Sequence, residues 1–260
     1  MLEWIPRGLR QGRVTTRYPQ REEIAPAGYR GRIELSNAAD AEPELAVLCP
    51  TGAITVDSDR RLSLDRGGCI LCGACVHAAQ DRFSFEARYQ TAARSRKALV
   101  VSGQDENAAF EPTRRVLGER ARALRRSIHV RHIDCGSDGS EEWEIQALWN
   151  PYYDIQRLGY FLTAAPRHAD VLLVTGPVTA AMRGPLEHTW DVMPEPKALV
   201  AVGTDACSGG LCAAGELTAG GVDEVLPVDV YVPGSPPAPI AIMHGLLLVT
   251  GLLRPGEMVA

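Results

Sequence analysis

Residues 165–179 read APRHADVLLVTGPVT. Between Asp170 and the Thr175-Gly176-Pro177 turn, four apolar residues from Val171 to Val174 run without a polar interruption. A short apolar run closed by turn residues belongs to a strand buried on both faces, the kind found in parallel sheets. Strand-like runs recur at IHVRHID (128–134), KALVAVG (197–203) and VDVYVPG (228–234), with helix-length segments between them. Strands alternating with helices predict an α/β domain built on a parallel sheet. The stretch PIAIMHGLLLVTGLL (239–253) falls short of the roughly 20 apolar residues of a membrane span and predicts a buried core helix.

Upstream the texture changes. To about Val101 the chain is loop-rich and holds the patterned cysteines, so 260 residues divide into a segment 1–101, a connection 102–127 and a segment 128–260. The connection includes EPTRRVLGERARALRRS (111–127), with six arginines and apolar residues at helical spacing; it predicts a solvated linker helix, or one that docks on an acidic partner. A net charge of −5 lacks the basic footprint of a nucleic-acid binder. The stretch MLEWIPRGLRQGRV (1–14) shows no apolar h-region, and with seven cysteines, four closely patterned, the expectation is metal rather than disulfides.

The cysteine pattern is CILCGACVHAA (69–79), which spaces Cys69, Cys72 and Cys75 as C-x-x-C-x-x-C, with Cys49 upstream in LCPTGAI (48–54). In bacterial two-cluster ferredoxins each run of C-x-x-C-x-x-C-x-x-x-C-P lends its fourth cysteine to the other cluster. Here the fourth position of the second run is Ala79, while Cys49, followed by Pro50, supplies the fourth cysteine of the first. The first run's other positions are Leu45, Glu42 and Ala39. Four ligands of one cluster are missing together, and Cys49, Cys69, Cys72 and Cys75 complete the other, predicting one [4Fe–4S] cluster; structural zinc is the alternative. His77, two residues past Cys75, is placed to tune that cluster or simply to face solvent.

The segment GRVTTRYPQREEIAPAGYRGRIEL (12–35), followed by the CPTGAI stretch, resembles the small ferredoxin-like subunit of formate hydrogenlyase, of membrane-bound [NiFe] hydrogenases and of respiratory complex I. The resemblance implies an α+β ferredoxin-like domain. The second half resembles the family formed by the B-type protein of complex I and the [NiFe]-hydrogenase small subunits, through NPYYDIQRLGY (150–160), APRHADVLLVTGPVT, MPEPKALVAVG (193–203) and LPVDVYVPG (226–234). That resemblance implies a flavodoxin-like α/β domain. It also implies a proximal [4Fe–4S] cluster on four cysteines, in the loops corresponding to DCGSDGSEEWE (134–144), GTDACSGG (203–210) and VPGSPP (232–237).

Carried over residue by residue, those positions are Asp138, Glu141, Asp205 and Ser235. Three carboxylates and a hydroxyl are a poor soft-ligand set for a cubane. The expectation is a pocket filled by water, hydrogen bonds and ion pairs, with Arg131, Arg167 or His132 as partners, or else a hard cation such as Mg²⁺, Ca²⁺ or Mn²⁺. Cys135, Cys207 and Cys212 lie in the same loops without a fourth thiol near Ser235 and are expected as buried thiols. His168 is expected to pack or face a partner, and CSGGLCAAGELTAGG (207–221) to supply tight turns, since it lacks phosphate-loop spacing.

Together the resemblances imply an oxidoreductase subunit, not catalytic alone, in a complex I-like or formate hydrogenlyase-like complex. Its expected place is peripheral, on the cytoplasmic face of the inner membrane. The implied partners are a hydrogenase large-subunit protein or its D-type counterpart in complex I, with membrane antiporter-like and H-type proteins. The alternative is a non-redox coupling role in a related ion-translocating complex.

Overall fold

The apolar runs become the centre of a five-stranded parallel sheet in the computed structural model, which describes residues 4–102, 127–212 and 214–253. The elements are α1 (Trp4–Gln11), β1 (Arg32–Leu35), α2 (Glu44–Val47), β2 (Ile54–Val56), β3 (Leu62–Asp65), α3 (Ala74–Ala78), β4 (Phe83–Glu86) and β5 (Val100–Val101). They continue with β6 (Ile128–Asp134), α4 (Ser140–Ala147), β7 (Tyr160–Leu162), β8 (Val171–Thr175), α5 (Ala180–Val192), β9 (Ala198–Val202), α6 (Thr204–Ser208), β10 (Val230–Val232) and α7 (Pro239–Val249). The expected arginine-rich linker helix falls on 103–126, outside the described residues.

The large sheet runs β10-β9-β8-β6-β7, all parallel, which is the doubly wound order of flavodoxin-like folds. Every residue of β8 and of β9 is buried, because helices cover both faces. Val171, Leu173, Val200 and Val202 pack with α4 and with α7, whose residues are buried from end to end. Leu172, Val174, Leu199 and Ala201 pack on the other face with Leu186 of α5 and with Ala206 and Cys207 of α6. No helix of the described residues is long and apolar enough to cross a membrane.

The first half forms two small antiparallel sheets, β1 with β4 and β2-β3-β5, around a core of Ile33, Ile54, Leu62, Leu64 and Phe83. It is joined to the large-sheet half at several places. Ala93 and Tyr231 exchange backbone hydrogen bonds of 2.9 and 2.7 Å, so an extended segment covers the β10 edge. Tyr18, 1% exposed, is part of the core on the α7 side, where its Oη lies 2.6 Å from His244 Nδ1. Leu99 packs in the core on the α5 side.

Candidate functional site

The loop before α3 sets the first group of side chains. Leu71 and Gly73 have φ of 56° and 82°, left-handed values that coil the Cys69–Cys75 segment tightly and aim its amides inward. The Ala53 N–H donates to Cys49 Sγ at 3.3 Å, the Leu71 N–H to the Cys69 thiol and the Val76 N–H to the Cys75 thiol. Burial pushes Cys69 up to about 12, and the charges of Cys75, Cys49 and Cys72 add to the rise, so the four sulfurs are near enough to feel one another. Cys75 is raised by burial as well, while Cys72 is exposed at the rim. Arg30 Nη1 donates to the carbonyls of Leu71 and Cys72, both at 3.3 Å, and places a positive charge over this loop.

Converging thiols with amide donors fit a [4Fe–4S] cluster, whose metal charge would hold the sulfurs as thiolates. Among the described residues, no three His, Cys, Asp or Glu side chains close on one point as ligands of a single ion do.

The second group lies beyond the carboxyl ends of the large-sheet strands. Loops from all four neighbouring strand ends meet there: Gly203 N–H donates to Val232 O at 2.9 Å, Thr204 N–H to Gly234 O at 2.8 Å, and Gly176 packs against Ser137. Glu141, in the first turn of α4, is 3% exposed and lies against Gly203, where an added Cβ would stand 2.5 Å from its Oε1. Burial pushes its carboxyl up to about 7, and Asp205 and Asp138 add to the rise. Burial also raises Asp205, whereas Asp138, exposed and hydrogen-bonded by Ser140, is held below the usual range. Ser235 is exposed.

These four residues do not fit a [4Fe–4S] cluster, since no thiol is among them. Among the described residues they do not form a group of three or more that could hold a metal ion. The expected countercharges are elsewhere. Among the described residues no Lys, Arg or His pairs with Glu141, Asp138 or Asp205, and His132 Nε2 instead stands 3.4 Å from Glu142 Oε1. Glu142 also accepts hydrogen bonds from Thr175 Oγ1 and from Ser137 Oγ, the latter at 2.5 Å. Burial holds His132 below its ordinary value despite that carboxylate. Burial therefore favours the protonated form of Glu141 more than the surroundings of an exposed glutamate would.

The two groups touch. Thr204 Oγ1 donates to Cys69 O at 3.0 Å, and a small cleft of about 10 Å³ beside it is lined by Cys69, Leu71, Arg66, Thr91, Pro233 and Gly234. Thr204 is fully buried and joins the cysteine loop to both pocket loops. Sequence reasoning missed Thr204, Glu142, Ser137 and Thr175. The only signal for Glu142 was its place beside Glu141, and Thr204 had none. Cys135 and Cys207 are buried as expected, but Cys212 is exposed because it sits in the turn after Gly209. His77 and His168 are exposed.

Residues 138–249 match the family model described as NADH ubiquinone oxidoreductase, 20 Kd subunit, a span that contains all four pocket positions. Formate hydrogenlyase subunit 7 of Escherichia coli is 41% identical over 142 residues, covering 52% of this chain and 56% of that protein. An uncharacterized protein of Methanocaldococcus jannaschii is 46% identical over 125 residues, 48% of this chain and 84% of its own length. The Pyrococcus furiosus protein named "Probable membrane-bound hydrogenase subunit mbhJ" is 42% identical over 123 residues, 47% of this chain and 74% of its own. With the parallel sheet, the four convergent loops and these relatives in hand, the chain belongs to the NADH ubiquinone oxidoreductase 20 Kd subunit family, which takes in small subunits of membrane-bound hydrogenases.

Proposed function

We propose that this chain is a peripheral iron–sulfur subunit of a membrane-bound complex of the complex I and hydrogenase type. It carries one [4Fe–4S] cluster on Cys49, Cys69, Cys72 and Cys75 and none at the family's proximal position. The cluster supplies one-electron transfer. The observation that carries this reading is that Cys49, Cys72 and Cys75 lie near enough to raise the Cys69 thiol, with an amide donating to Cys49 Sγ, next to a pocket without a thiol that Thr204 joins to Cys69 O.

The order β1-α2-β2 and β3-α3-β4, with β1 antiparallel to β4 and β2 antiparallel to β3, supports a ferredoxin-like module at 1–101. The α/β module at 128–260 presents its carboxyl-end loops to a hydrogenase large-subunit protein or its D-type counterpart in complex I. Membrane antiporter-like and H-type proteins complete the assembly on the cytoplasmic face.

Iron and acid-labile sulfide per chain, measured on anaerobically purified protein with EPR after dithionite, test this. About four irons with one S = 1/2 signal are expected. About eight irons would show that the carboxylate pocket holds a cluster, and zinc without sulfide would remove the redox role. The absence of thiols in the pocket favours a second reading, a coupling role in a chain that no longer completes an electron path. Cysteines at the [NiFe] positions of the large subunit would argue for the relay, and their replacement for the coupling role.

A further inference from the structure

Among the described residues, little packs against the helix α1. It is eight residues long, includes Pro6 and Gly8, and is exposed from Ile5 to Gln11. Isolated helices of this length are marginal in water, so α1 gains stability from a surface to lie on. Its own pattern describes that surface. At roughly 100° per residue, Ile5 and Leu9 fall in one arc, 41% and 80% exposed, while Arg7 and Arg10 point about the opposite way. The basic series continues through Arg13, Arg17 and Arg21, all exposed and without an ion pair among the described residues, with Val14 also 54% exposed.

Five arginines and no acid lie between residues 4 and 21 of a chain whose net charge is −5. The segment is fixed to the body just beyond the helix. Thr16 N–H donates to Tyr152 O at 2.8 Å, Arg157 Nη2 donates to Tyr18 O at 2.5 Å, and the Tyr18 ring is buried beside His244.

We infer that α1 and the arginines following it form a docking surface for an anionic lipid bilayer, resting on the reading of this chain as a peripheral membrane subunit. An apolar arc set into the headgroup boundary with arginines at phosphate level is the arrangement of interfacial helices. The remainder of the chain is acidic in sum, so the arginine segment favours the side that faces the membrane. An anionic bilayer matches the apolar arc and the run of five arginines together.

The test is flotation of the purified full chain with vesicles of phosphatidylglycerol and phosphatidylcholine, against phosphatidylcholine alone, with iron measured on the same sample. Binding is expected to the anionic vesicles, to weaken as salt shortens the Debye length, and to fall about fivefold for each of Arg7→Gln, Arg10→Gln and Arg13→Gln. Leu9→Glu should abolish it, and Arg183→Gln, on α5, should leave it unchanged. Failure to float at low salt, equal binding of Leu9→Glu, or membrane retention only when partner subunits are added would each overturn the inference, the last by placing α1 in a protein groove. A sample with four irons that does not float refutes the lipid surface alone; one without iron that floats refutes the cluster alone.

Discussion

Replacing Glu141 with glutamine should stabilise the protein in alkaline buffer and change little in acid. The carboxyl stands at about 7 rather than the usual 4.5, first because it is buried and then because Asp205 and Asp138 share the pocket. At 1.36 kcal/mol for each pH unit that difference amounts to about 3 kcal/mol. Solvent reaching the pocket past the exposed Asp138 screens part of it and leaves about 2 kcal/mol. The sign follows from proton binding. Between about 4.5 and about 7 the folded protein keeps a proton that the unfolded chain has lost, so this group's contribution is full below 4.5 and is lost as pH rises through 7. Glutamine has no proton to lose. In a chain of this size the variant should melt about 4–8 °C above the parent at pH 8 and within about 0.5 kcal/mol of it at pH 5. Differential scanning calorimetry at matched scan rates reads both. An equal shift at the two pH values, or none at pH 8, would refute the picture of a buried, proton-neutralised carboxyl.

Three further outcomes are expected. Tyr18→Phe leaves His244 Nδ1 buried without its 2.6 Å partner and should cost about 1–3 kcal/mol in urea titrations. Because burial holds His244 near 4, the imidazole is neutral and that cost should stay constant from pH 6 to 8. Gly245→Ala drives a methyl into Val232, where α7 crosses β10, and should destabilise by about 1–3 kcal/mol by the same measurement, with the larger Gly245→Val worse. Thr204→Val removes the hydroxyl donor from Cys69 O and should move the cluster's midpoint potential and EPR line shape, whereas Thr204→Ser should restore both. Unchanged spectra in the valine variant would confine Thr204 to packing.

What could be read from the sequence was set by the range of the forces involved. The runs at 171–174 and 198–202 announced themselves because strands covered on both faces need no polar residues, and α7 did so for the same reason. The edge strand Tyr160–Leu162 went unread: three residues show no period, and Phe161 and Leu162 face outward. In the site, the four cysteines lie within a local spacing code. The Glu142 network depends on the pairing of Asp134 with Thr175 between β6 and β8, which brings Thr175 to a glutamate 33 residues away. The Cys69–Thr204 bond spans 135 residues and follows from how the halves dock, which no local pattern encodes.

The backbone bridge between Ala93 and Tyr231 has a consequence for how this chain can be divided. A fragment starting at residue 127 would bare the unpaired edge of β10 and open a hole beside His244 where the Tyr18 ring belongs. Such an edge invites pairing with other chains. The halves therefore behave less like beads on a string than like a lid and its jar, cut to the same thread. Exchanging either one for a counterpart from a relative would require carrying the matching rim along with it.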